Sequence, residues 1–191
     1  MRRMPVSEIA VWSAMLGGLL TLSAVALGDA LASRSVGSVR NLLFVLIAGA
    51  SCVVITGLPE VFFPGLPERL MMMLKASLGP LAGAMALYFL GTWLGGVRED
   101  VLVHNLTALG GTVVLLMALA LAAVSSQADP MHFRALLALA GAVNLVPVVL
   151  GLVAVVRAAK LGDPLARWMG VGMVCLAGAT VGLYAKGLSV S

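Results

Sequence analysis

The feature of this sequence that most restricts its fold is a series of apolar runs, each about 20 residues long. That length is what a helix needs to cross roughly 30 Å of hydrocarbon. The runs lack the alternation of apolar and polar residues that outer-membrane barrel strands show. Helices are the remaining way to pair every backbone N–H and C=O group in lipid. The sequence therefore predicts an all-α fold, a polytopic transmembrane helix bundle.

Composition excludes a water-soluble protein. Hydrophobic residues make up 61% of the chain and charged residues 10%, whereas a soluble domain carries roughly 25% charged residues. The segments between the apolar runs are too short for a catalytic domain. We therefore expect residues 1–191 to form a single transmembrane helical domain, with no soluble domain.

The apolar runs predict about six membrane-spanning helices. Their expected spans are residues 9–32, 41–57, 68–96, 101–124, 133–156 and 165–185. The first is longer than the apolar core of a signal peptide, so it is expected to be retained. The link at 58–67 carries three prolines, so no regular helix is expected there.

Basic residues sit at the predicted helix ends and suggest an orientation. The side with the N-terminus carries Arg2, Arg3, Arg69, Arg134 and Lys186, and the other carries Arg34, Arg40, Arg98, Arg157, Lys160 and Arg167. The second side has slightly more, which favours a cytoplasmic second side and an external N-terminus. Since the net charge of +4 is scattered over these ends, no nucleic-acid partner is expected.

Glycines at the GxxxG spacing let membrane helices approach closely. Gly79 and Gly83 lie in the third span, and Gly178 and Gly182 lie in the sixth. They are expected to support helix packing, either within the bundle or at the face of a homodimer.

Three polar residues are candidates for ligand binding: Lys75, Asn144 and Glu68. Lys75 lies about two turns inside the third span, where a charge marks a functional site by default. It is expected to bind an anionic ligand, to pair with Glu68, or to extend its ammonium group to the membrane surface. Asn144 lies in the middle of the fifth span, beside Pro147. It either faces a central cavity or satisfies the carbonyl group that this proline leaves unpaired. Pro147 and Pro80 are the predicted helix hinges.

No residue pattern of a catalytic or metal site is present. His104 and His132 are expected on opposite membrane faces, about 30 Å apart, and Cys52 and Cys175 lie within apolar runs. The acidic residues lie near helix ends, away from the midplane. The sequence therefore predicts a protein that is not an enzyme and binds neither metal nor cofactor.

Three stretches resemble the membrane regions of bacterial signalling proteins. They are TGLPEVFFPGLPERLMMMLKASLGPLAGA at 56–84, REDVLVH at 98–104, and the segment from RAAKLGDPLARWM to GLYAKGL at 157–188. They are similar to the seven-helix sensor modules of the diverse intracellular signalling type, found before the output domains of diguanylate cyclases and sensor histidine kinases.

This resemblance implies a sensory module in the bacterial inner membrane that detects a small or lipophilic ligand or the state of the membrane. Its partners would be the lipid bilayer and a cytoplasmic signalling protein or output domain. Such modules have an external N-terminus and a seventh helix. Because only six spans are predicted here, we expect the seventh helix to be missing or a partner to take its place. The alternatives are a small transporter or channel, or a structural subunit of a membrane complex.

Overall fold

The structure is a computed structural model that describes residues 6–63, 65–94, 100–128 and 130–190. All regular secondary structure in these residues is α-helical. The helices are α1 (Val6–Ser33), α2 (Val36–Ile55), α3 (Leu58–Phe62), α4 (Glu68–Trp93), α5 (Val101–Gln127), α6 (Pro130–Lys160) and α7 (Pro164–Val190). The predicted fold class, an all-α helical bundle, is confirmed.

Five helices in the described part of the chain, α2 and α4 to α7, are long and apolar enough to cross a membrane. Large apolar side chains cover their outer surfaces, among them Leu109, Leu116 and Val149, each more than half exposed. A monomeric soluble protein rarely exposes so much apolar surface, whereas lipid tails cover it without cost. The chain is therefore a multi-pass membrane protein. In α1, the described apolar stretch is the shorter Gly17–Ser33.

The link at 58–67 corrects one prediction, because Leu58–Phe62 form the short helix α3. Pro59 lies in the first turn, where a residue without an N–H group breaks no helical hydrogen bond. Gly57 precedes it with a φ of +77°, a left-handed conformation that glycine adopts without strain. Pro59 is thus compatible with the first turn of a helix and does not prevent α3 from forming.

Most of the long helices also begin or end a few residues away from the predicted spans. Helix α2 begins at Val36 because the Ser35 hydroxyl accepts a hydrogen bond from the backbone N–H of Ser38 at 3.1 Å. Helix α5 continues to Gln127, beyond the predicted end of its span at residue 124. Some predicted connection residues, namely Arg2, Arg3, Pro64, Arg98 and Glu99, lie outside the described residues.

Helix α4 is the centre of the bundle, since it contacts α2, α5, α6 and α7. Small residues allow this, because Ala76, Gly79, Gly83 and Ala84 are all buried. Within the described chain, α1 contacts only α2. We call the side of the bundle where α4 and α6 begin the Glu68 face, and the opposite side the Asp100 face.

An ion pair joins α5 to α6 at the Asp100 face. The Nε atom of Arg157 donates to Oδ2 of Asp100 at 2.6 Å, while Oδ1 accepts from the N–H of Leu102 and caps α5. The Asp100 side chain is only 8% exposed. The hydrogen bond from Arg157 holds the pKa of this carboxyl group below its ordinary value, against the opposing effect of desolvation.

We expect the free energy of unfolding to depend on pH through the Asp100 carboxylate. Because its pKa is lower in the folded chain, its stabilisation is complete above the ordinary aspartate pKa of about 3.9 and is lost as the pH falls through the lower folded value. Asp100→Asn keeps a capping oxygen but removes the charge. Thermal unfolding in detergent at several pH values should show the wild-type advantage disappearing in acid. A gap between the two proteins that is the same at every pH would contradict this.

Candidate functional site

The Gly79 and Gly83 face of α4 receives side chains from two other helices. A Cβ atom at Gly79 would overlap the hydroxyl group of Tyr184 on α7. One at Gly83 would overlap the ring of Pro147 on α6 and lie 2.8 Å from Oδ1 of Asn144. The two glycines therefore let α6 and α7 approach the backbone of α4, as the predicted role of small residues requires.

A cavity of about 310 Å³ lies beside this contact. Its wall on α4 consists of Gly79, Ala82 and Gly83, and α1, α2, α6 and α7 supply the rest. Most of the lining residues are small or apolar. A concave apolar space with a few polar groups is the usual form of a small-molecule site.

Four polar side chains line the cavity: Ser51 on α2, Asn144 on α6, and Thr180 and Lys186 on α7. Ser51 and Thr180 are almost fully buried. Their arrangement places hydrogen-bonding groups from three helices around one space. Of the four, Asn144 is the ligand-binding candidate that the sequence predicts.

A larger groove lies next to the cavity, between α2, α4 and α7. Its volume is about 580 Å³, and it shares Leu176 and Ala179 with the cavity. Aromatic side chains from all three helices line it: Phe44, Phe89 and Trp168. Its lining is almost entirely apolar, and Trp168 is 77% exposed at its margin. The groove therefore suits a hydrocarbon chain and not an ion.

Helices α2 and α7 contact each other near their ends at the Glu68 face. Near the Glu68 face, a Cβ atom at Gly187 would lie 3.2 Å from Cγ2 of Ile55. Toward the Asp100 face, the groove separates α2 from α7. The cavity and the groove share Leu176 and Ala179 in their walls, and α4 lines both, so we call these two neighbouring spaces the cleft.

Lys75 does not line this cleft. Its Nζ atom donates to Oε1 of Glu60 on α3 at 2.5 Å, and its side chain is 19% exposed. The partner predicted from the sequence was wrong, because Glu60 forms the ion pair and the exposed Glu68 does not. This ion pair between Lys75 and Glu60 links α3 to α4 at the Glu68 face.

The second glycine pair differs from the first. Cβ atoms at Gly178 and Gly182 would meet nothing within 4 Å, and both glycines are exposed. Packing of this pair within the bundle is therefore a wrong prediction, and the homodimer face stays a prediction. Gly182 instead lines the cavity.

The predicted hinges lie inside unbroken helices, with Pro80 in α4 and Pro147 in α6. Both prolines are fully buried. Pro147 also lines the cavity, next to Asn144. A bending motion at either proline remains a prediction.

Metal-binding clusters are not found in the described part of the chain, where no three His, Cys, Asp or Glu side chains come together. His104 lies near the start of α5 and His132 near the start of α6, at opposite ends of the bundle. The thiols of Cys52 and Cys175 are free. Cys52 lines the cavity and Cys175 the groove.

Sequence reasoning missed Tyr184, which is buried against α4 with only 5% exposure. Its hydroxyl group has no hydrogen-bond partner among the described residues. A signal was present, because Thr180 and Tyr184 are four residues apart and so share one helix face. Two hydroxyl groups on one face of an apolar span indicate an inward-facing polar surface.

Comparison with known proteins adds no identity. No protein-family model, no curated protein and no solved structure matches this chain. The resemblance to bacterial sensor modules therefore stays a prediction from the three sequence stretches.

Proposed function

We propose that this chain is a sensory module of a bacterial inner membrane, with an external N-terminus. It binds a lipophilic ligand in the cleft between α2, α4 and α7 and passes the change to a signalling partner or output domain. The observation that carries this proposal is the pair of neighbouring spaces in the membrane-spanning part, an apolar groove and a cavity with more polar side chains, which share Leu176 and Ala179 in their walls.

The packing of α7 supports a movement of this helix when a ligand binds. Helix α7 is the least buried of the five apolar helices and contacts α6 far more than α2 or α4. Elements with few packing contacts move at the lowest free-energy cost. A ligand in the cleft contacts α2 and α7 together, so its binding is expected to change the distance between them.

Filling the cavity with a side chain tests this proposal without a known ligand. Gly182 lines the cavity and has open space at its Cβ position, so Gly182→Leu is expected to occupy the cavity and imitate the bound state. Spin labels at Val39 and Val171, exposed on α2 and α7, report the distance in lipid nanodiscs. We expect this distance to shift by about 1–2 Å, the usual size of helix movements at interfaces.

Gly178→Leu is the matched control. It lies one turn earlier on α7, has equally open space and does not line the cavity. It should leave the distance unchanged. A Gly182→Leu protein that folds but keeps the wild-type distance between α2 and α7 would refute the proposed coupling between the cavity and the position of α7.

A further inference from the structure

Two hydroxyl groups in the cavity wall lack the hydrogen bonds that other serine and threonine residues make. In a membrane helix such a hydroxyl group usually donates to a backbone carbonyl group three or four residues earlier, as those of Thr56, Ser77 and Thr107 do. Every described serine or threonine side chain other than Ser51 and Thr180 has a hydrogen-bond partner. Ser51 and Thr180 have none among the described residues.

Both of these hydroxyl groups face the cavity. Ser51 is 4% exposed and Thr180 is 5% exposed, so protein encloses each residue except where the cavity lies against it. Their oxygen atoms are not closed off from open space, as the hydroxyl group of Tyr184 is. Leaving a buried hydroxyl group without a partner is costly in an apolar setting. A ligand that forms hydrogen bonds with Ser51 and Thr180 would remove this cost.

Asn144 lies at the same depth in the bundle as Thr180. Helices α6 and α7 are antiparallel, and the Cβ position of Gly141 lies 3.1 Å from the ring of Tyr184. Asn144 is about one turn further along α6, and Thr180 is about one turn back along α7, so the two residues share a level. The amide group of Asn144 also lines the cavity and has no hydrogen-bond partner among the described residues.

Ser51 lies within about one helical turn of this level. Helices α2 and α7 run in the same direction, and Ile55 packs against Gly187. One turn back from this contact, Ser51 lies at the level of Leu183, which is about 4.5 Å along the helix axis from Thr180. The cavity therefore has three uncharged hydrogen-bonding groups, from α2, α6 and α7, at nearly one depth.

A hydroxyl group is the chemical group that these three side chains suit. It donates one hydrogen bond and accepts two, and hydroxyl and amide side chains supply both kinds of partner. Of the described residues, no Asp or Glu lines the cavity, so an ammonium group would find Lys186 there and no counter-ion. A carboxylate would be costly to desolvate at this depth, and Lys186 already has an interaction of its own within the chain.

The rest of the ligand is small and apolar. Most residues that line the cavity are small or apolar. A volume of about 310 Å³ holds about ten non-hydrogen atoms, if each takes the roughly 30 Å³ of a water molecule in the liquid. The neighbouring groove is lined almost entirely by apolar side chains, so it offers a hydroxyl group no comparable set of partners.

Resting on the function proposed above, we propose that the cavity binds a medium-chain alcohol. This lipophilic molecule has about ten non-hydrogen atoms, and its hydroxyl group forms hydrogen bonds with Ser51, Asn144 and Thr180.

Photolabelling of the full chain in lipid nanodiscs tests this inference. The probe is octan-1-ol with a diazirine group on its chain, and mass spectrometry identifies the labelled residues. We expect labels on the cavity residues Met15 and Leu183. Labels on lipid-facing side chains alone would show only partition into the bilayer and would refute the site.

Competition by unlabelled molecules of the same chain length tests the hydroxyl group. At equal concentrations in the membrane, octan-1-ol should compete about tenfold better than octane, the difference that a buried hydrogen bond makes. Equal competition by octane would refute the role of the hydroxyl group. Stronger competition by octanoate would show an anionic ligand instead.

Removing single hydroxyl groups assigns the site. Ser51→Ala and Thr180→Val are each expected to raise the octan-1-ol concentration for half-maximal competition about fivefold to tenfold, without changing that for octane. Ser77→Ala and Thr107→Val are the matched controls, because their hydroxyl groups bond to their own helices, and they should behave as the wild type does. A misfolded variant would lose all labelling, whereas a lost hydrogen bond shifts only the concentration dependence. Wild-type competition in both Ser51→Ala and Thr180→Val would overturn the inference.

The two proposals fail in different ways. A distance shift in Gly182→Leu without preference for octan-1-ol over octane would refute only the ligand class. Binding of octan-1-ol that needs Ser51 and Thr180, in a protein whose α2–α7 distance never changes, would instead refute the sensory mechanism.

Discussion

Gly83→Ala is expected to destabilise the bundle by about 1–3 kcal/mol, the usual cost of overpacking a close-packed interior. The added methyl group would overlap the ring of Pro147 and lie 2.8 Å from Oδ1 of Asn144. A proline ring has no alternative rotamer that moves it away, so α4 and α6 must separate. Unfolding in detergent, followed by circular dichroism, measures the loss.

Gly178→Ala is the control for this prediction, since its new methyl group meets nothing within 4 Å. Alanine is also the better helix former, so this change should be neutral or slightly stabilising. If Gly83→Ala were as stable as Gly178→Ala, the close contact between α4 and α6 would be wrong.

Gly79→Ala is expected to be strongly destabilising in the wild type and much less so in Tyr184→Phe. In the wild type the new methyl group overlaps the tyrosine hydroxyl, whereas without that hydroxyl the nearest atom is the ring carbon Cζ at 3.1 Å. Tyr184→Phe alone should stabilise the bundle by about 1 kcal/mol, because it removes a buried polar group that has no partner among the described residues.

A double-mutant cycle over these two positions measures the effect as a coupling energy. We expect a magnitude of about 1–3 kcal/mol, within the range for residues in direct contact. Additive effects of Gly79→Ala and Tyr184→Phe would show that the Tyr184 hydroxyl does not face α4.

The ion pair of Lys75 shows why a partner was harder to predict than a helix. Glu68 is seven residues away and lies on roughly the same helix face, so sequence spacing favoured it. The structure instead turns the chain at Gly57 and forms α3, which brings Glu60 to Lys75. The position of α3 depends on how it packs beside α2, which local spacing does not contain.

The two GxxxG pairs make the same point. Both have the spacing that permits close helix packing. Only Gly79 and Gly83 meet other helices, whereas Gly178 and Gly182 face open space. The motif indicates that another helix can pack closely against these glycines. The arrangement of the bundle determines whether another helix lies at that position.

The apolar runs were sufficient by themselves to predict a helical membrane protein, because lipid offers the backbone no hydrogen-bond partner outside the helix. They also placed Asn144 and Pro147 in the middle of a span. Only the tertiary structure brought Asn144 and Tyr184 to the same face of α4 at Gly79, since they lie on different helices. The physical reason is that apolar length sets which segments enter the membrane, while the shapes of small and large side chains set how those segments fit together.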